Sequence, residues 1–76
     1  MDERIRHVLA DTFGITASSL GEAPSPRTVP AWDSLRHMNL VLALEAEFGL
    51  EFDEAVVTEL TSYGKIRDEL VRLGVR

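Results

Sequence analysis

Apolar residues recur with a helical spacing in separate blocks along the chain, and the polar gaps between the blocks carry the punctuation. In the first block Ile5, Val8, Leu9, Thr12 and Phe13 share one face of a helix over residues 2–13, with Asp2 and Glu3 in its first turn and Gly14 at its end. The longest block runs from Trp32 to Gly49. Pro30 keeps the preceding chain out of a helix, Asp33 is placed to cap the first free N–H groups, and Gly49 is the residue that helix ends prefer. Within it Met38, Val41, Leu44 and Phe48 follow one another at steps of three, three and four and predict the core-facing line. Leu35 and Leu42 lie seven apart on a neighbouring stripe. A third block, Leu50 to Leu60, predicts a short helix capped by Asp53, with Phe52, Val56, Val57 and Leu60 closing the core. Its length and the β-branched run Val56-Val57-Thr58 make it the weakest helix and the one expected to move most. The last helix starts at a cap on Thr61 or Ser62, runs to about Leu73 and stops at Gly74, with Tyr63, Ile66, Leu70 and Leu73 inward.

Between the first two helices lies a long connection, Ile15 to Ala31, interrupted by Gly21, Pro24, Pro26 and Pro30. Those residues exclude a continuous helix or a central strand, and leave room only for a short helical turn over residues 16–20. Ile15, Leu20 and Val29 are its anchors into the core. The expected fold is therefore all-α: a small four-helix bundle, three main helices plus one short helix, with a long loop between helices 1 and 2.

At 76 residues the chain makes one domain, residues 1–76, with a marginal core and little room for a deep enzymatic pocket. The formal net charge is −5. Glu45, Glu47, Glu51, Asp53, Glu54 and Glu59 follow one another with no Lys or Arg among them, which argues against nucleic acid and favours partners with basic surfaces. The absence of cysteine fits a reducing cytoplasm, and neither a signal-peptide pattern nor a stretch long enough to insert in a membrane is present. His7 and Asp11, four apart, read as a surface pair and not as a metal site, since no third ligand is near in sequence.

Ser34 is the candidate for chemistry. It follows the Asp33 cap in the first turn of the central helix, where free N–H groups and the positive dipole end suit a phosphate ester on its oxygen. The plainer reading is a helix-start serine. Asp33, Ser34 and His37 also supply the residue types of a nucleophilic triad, but a triad needs an oxyanion hole and a cleft, and nothing in the sequence provides them.

Asp33-Ser34-Leu35, followed by an amphipathic helix that ends in Leu44-Glu45-Ala46-Glu47-Phe48-Gly49, resembles the phosphopantetheine attachment site of acyl and peptidyl carrier proteins. The resemblance extends over nearly the whole chain. It implies that Ser34 bears a 4′-phosphopantetheine arm donated by coenzyme A and attached by a phosphopantetheinyl transferase. The arm would hold an acyl or aminoacyl thioester, charged by a loading enzyme and passed to a synthase or transferase. The protein would be a substrate of those enzymes, not an enzyme itself. The resemblance also places partner docking on Leu35 and Leu42, and the flanking Arg36, His37, Glu45, Glu47, Asp53 and Glu54 are candidates for the same face. Fatty-acid carriers usually have acids just after the Ser-Leu pair and a small residue at the position of Trp32. The expected protein is a free-standing, monomeric carrier, and Arg36, His37 and Trp32 suggest a specialised pathway of the polyketide or nonribosomal peptide type for it, in preference to the housekeeping fatty-acid one. The rival from another class is an unmodified helical adaptor of the same shape.

Overall fold

The structure, a computed structural model, describes residues 1–75; Arg76, the last residue of the expected domain, lies outside the described residues. Four α-helices form in chain order: α1 (Asp2–Phe13), α2 (Ser34–Phe48), α3 (Glu54–Val57) and α4 (Tyr63–Arg72). A 3-10 turn, Ala17–Leu20, interrupts the long α1–α2 connection, and no strand occurs among the described residues. The all-α expectation is met, including the short third helix.

Helix α1 is the hub. It packs chiefly on α2 and, over smaller areas, on the 3-10 turn and α4. Its Ile5, Val8, Leu9, Ala10 and Phe13 are buried together with Leu40 and Leu44 of α2, Leu60, and Ile66 and Leu70 of α4. The connection contributes Leu20, Val29 and Trp32 to the same cluster, and Ile15 packs against it half-buried. Pro24, which hydropathy alone does not single out, is fully buried, and its carbonyl accepts the Tyr63 N–H at 2.9 Å, fixing the loop to the start of α4.

The inward line of α2 differs from the expected one. Met38 is 51% exposed and Leu40 is completely buried, so the core-facing residues are Leu40, Val41 and Leu44, with Phe48 half-buried. At 100° per residue, the line through Val41, Leu44 and Phe48 extends back to position 37, four before Val41, and not to position 38. His37 occupies that place, and a polar residue there is invisible to a hydropathy pattern.

Leu73 is also not inward. It is exposed and lies beyond α4, which ends at Arg72. Gly74 (φ 91°) turns the chain through the left-handed region, the Gly74 and Val75 N–H groups bond the Val71 and Leu70 carbonyls, and Val75 packs back on the core in place of Leu73. Ser62, not Thr61, caps α4, its Oγ accepting the Lys65 N–H at 3.2 Å. Asp53 stands at the start of α3 without a side-chain cap bond; its backbone carbonyl receives the Val56 and Val57 N–H groups instead.

Leu44 is fully buried at the α1–α2 seam. Leu44→Ala is expected to lower stability by about 2–5 kcal/mol, read as a fall in the urea midpoint. A second prediction concerns alkali. Burial, and then the Asp2 carboxylate beside its hydroxyl, push Tyr63 from 10.0 up to about 12. The stabilisation Tyr63 gives is therefore complete below the unfolded-state value near 10 and is lost as pH rises through 12. Tyr63→Phe should flatten the fall of the urea midpoint above pH 10 and leave its dependence near neutrality unchanged.

Candidate functional site at the start of helix α2

Asp33 enters α2 in extended backbone (φ −104°, ψ −177°), and its Oδ1 accepts the Arg36 N–H at 2.8 Å while its carbonyl accepts the His37 N–H at 2.8 Å. Ser34 is therefore the first residue inside the helix, exposed, with the orphan N–H groups of the first turn beside it. The first turn of α2 contains no acid, so nothing inside the helix opposes the positive end of its dipole there.

The helix starts where it does because Trp32 is anchored. Trp32 is buried, its ring 5.1 Å from that of Phe13 of α1, and its backbone N–H donates to the Val29 carbonyl at 2.9 Å. The indole thus covers the edge of the core and holds the loop one residue before the cap. An open, largely apolar groove of about 600 Å³ runs beside Ser34. Trp32, His37 and Met38 form one of its walls; Val57, Thr58 and Thr61 form the other. Met38 and Val57 are groove residues that sequence periodicity assigned to the core.

The candidate docking residues do not share one free face. Leu35 (74% exposed), Met38 and Leu42 (62%) make an apolar stripe that runs down α2 from the turn of Ser34. Arg36 is exposed on the side of that stripe toward α1. Glu47 lies on the same side and is engaged: its Oε2 accepts from Arg4 Nε at 2.9 Å, its carbonyl accepts from Arg4 Nη2 at 2.8 Å, and the Arg4 guanidinium sits 4.4 Å over the Phe48 ring. Glu45 is half-buried toward α3, where its Oε2 accepts the Phe52 N–H at 2.9 Å and closes the α2–α3 loop. Asp53 and Glu54 are exposed at the start of α3.

His37 is the residue whose setting the sequence does not announce. Half-buried, it makes a bond with each ring nitrogen: Trp32 Nε1–H donates to its Nδ1 at 3.0 Å, and its Nε2 meets the Val57 carbonyl at 2.7 Å. With both nitrogens so engaged, the ring is not free to take a proton from Ser34, and the arrangement is not that of a Ser–His nucleophile. His7 and Asp11 form an exposed pair at 3.5 Å.

No family model matches the chain. Over 74 residues the chain is 32% identical to the acyl carrier protein of Saccharopolyspora erythraea, a match that covers 97% of this chain and 78% of that protein.

Asp33→Ala, which leaves the Arg36 N–H without its acceptor, is expected to cost about 0.5–2 kcal/mol. Urea denaturation followed by far-UV circular dichroism reads the loss, with the slope m unchanged.

Proposed function

The chain belongs to the acyl carrier protein family, and from that premise we propose that its single carrier domain bears a 4′-phosphopantetheine arm on Ser34. The observation that carries the proposal is the exposure of Ser34 at the capped N-terminus of α2, beside a groove. A phosphodiester on its Oγ meets the free N–H groups and positive dipole end of the helix, and the Asp33 carboxylate is turned back onto the Arg36 N–H. When bound, the arm supplies a terminal thiol that holds an acyl or aminoacyl group as a thioester. The chain's own part is to hold the attachment point rigid, to offer the groove between Met38 and Val57 to the arm's apolar stretch, and to dock on its partners. The protein is then a substrate of a phosphopantetheinyl transferase, a loading enzyme and a downstream synthase or transferase, acting as a monomer in the cytoplasm.

The docking face of this reading is the Leu35–Met38–Leu42 stripe, bordered by Arg36 and by Asp53 and Glu54. Glu45 and Glu47 serve it indirectly, through the bonds that hold the loop and α1 in place. A cation two residues after Ser34 suits partners that present an acidic group to the helix start, and this favours a dedicated carrier in a specialised pathway over the housekeeping fatty-acid one.

Intact-mass measurement after incubation with coenzyme A, magnesium and a broad-specificity phosphopantetheinyl transferase tests the proposal. One phosphopantetheine addition is expected on the wild type and none on Ser34→Ala. A folded wild type that stays unmodified, also with the transferase of its own host, would overturn the reading and leave an adaptor.

A further inference from the structure

His37 Nε2 meets the Val57 carbonyl, at the last residue of α3, at 2.7 Å. The two residues belong to opposite walls of the groove beside Ser34, so this bond crosses the groove from α2 to α3. His37 is half-buried on the core-facing line of α2, whereas Met38, next to it on the same wall, is exposed. The crossing therefore lies on the core side of the groove, between its open mouth and the buried cluster that holds Leu40 and Leu44.

The ring that makes the crossing is fixed at both ends. The Trp32 indole nitrogen can only donate, so His37 Nδ1 offers it a lone pair at 3.0 Å. The Val57 carbonyl can only accept, so Nε2 donates to it. The indole is in turn buried against Phe13 of α1, and imidazole and indole stack at 6.3 Å with an interplanar angle of 18°. A chain tethered at Ser34, less than one helical turn away, reaches the core cluster only by displacing this ring. Displacement leaves the indole N–H of a buried residue without its acceptor, and an alkyl chain has none to give in return. It also leaves the Val57 carbonyl with the Leu60 N–H alone, at 3.4 Å.

We propose that His37 is a specificity-determining crossbar: it confines what is carried at Ser34 to the groove surface and closes the interior of the bundle to long alkyl chains. The carrier then suits short acyl groups. The lining of the groove agrees, because Thr58 and Thr61 interrupt its α3 wall with hydroxyls and leave an extended alkyl chain no continuous apolar track. As a statement about cargo the inference rests on the attachment of an arm at Ser34; as a statement about access to the core it does not.

The sequence contains no cysteine, so Ser34→Cys supplies a single thiol at the attachment position. Propyl and decyl chains are placed on it with the corresponding alkyl methanethiosulfonates, in the full chain with His37 and in the full chain carrying His37→Ala. With His37 present, the two conjugates are expected to unfold at the same urea midpoint. They should also share one indole N–H signal in nitrogen-15 NMR, which Trp32, the one tryptophan, makes unambiguous. With His37→Ala the space of the imidazole is open to the chain. The decyl conjugate should then unfold about 1 M urea above the propyl one, as burial of a few methylenes gives for a small domain. Dependence on chain length separates a crossbar from a merely stabilising side chain, whose loss lowers both conjugates together. A decyl chain that raises the midpoint or shifts the indole signal with His37 in place overturns the proposal, and so do equal midpoints with His37→Ala. The indole signals of the two His37 conjugates decide even where His37→Ala fails to fold. The chains are attached without a transferase, so a Ser34 that refuses phosphopantetheine overturns the carrier reading and leaves this result standing.

Discussion

Everything in this bundle depends on the apolar seam between α1 and α2. Leu40 and Leu44 are completely buried with Ile5 and Leu9, and the loop and α4 pack onto what that pair leaves uncovered. Once the seam sets the rotation of α2, the opposite face is fixed as well: Leu35, Met38 and Leu42 must point outward. Apolar exposure of that kind is unfavourable for a small domain unless another surface covers it at some stage. The seam also fixes where α2 begins, because Trp32 packs on Phe13 with the helix starting one residue after Asp33.

Elements governed by local rules were legible in the sequence. The span of α1, the Asp33 cap, the Gly49 stop and the exposed Ser34 all follow from residue type and spacing over a few positions. The exchange of Met38 for Leu40 was not legible, because apolar residues at positions 38, 40, 41, 42 and 44 permit more than one inward line and only the partner helices choose among them. His37 was hidden for a related reason. It stands on the core-facing line, but its partners lie 5 and 20 residues away in opposite directions, and a polar side chain contributes nothing to an apolar period. Pro24 and Val75 were missed because Pro24 is placed by its bond to the start of α4 and Val75 by the Gly74 turn, outcomes that local hydropathy does not encode.

Charge was legible as a total but not as a surface. The run of six acids from Glu45 to Glu59 suggested one acidic face. The fold uses two of them internally, Glu47 on Arg4 and Glu45 on the Phe52 N–H, and both bonds join α2 to a neighbouring segment. Asp2 is drawn below the ordinary carboxylate range, first by the Tyr63 hydroxyl and then by Arg67, which joins the start of α1 to α4. Exposed pairs of this type add little stability each. Their contribution is orientation: each fixes a rim of the bundle that the small core alone would leave loose.

The same distinction explains why α3 is held by a polar connection. An apolar side chain at position 37 would continue the core line and bury well, but it would fill the space between α2 and α3 and give no direction to the Val57 carbonyl. Imidazole closes the end of the inward line, gives the Val57 carbonyl a partner besides the Leu60 N–H, and gives the buried indole N–H its acceptor. One ring thus meets three requirements that no apolar residue meets together, and it leaves the groove beside Ser34 open. The consequence is that the least self-sufficient helix takes its position from a side chain of α2 that is itself held by the buried indole.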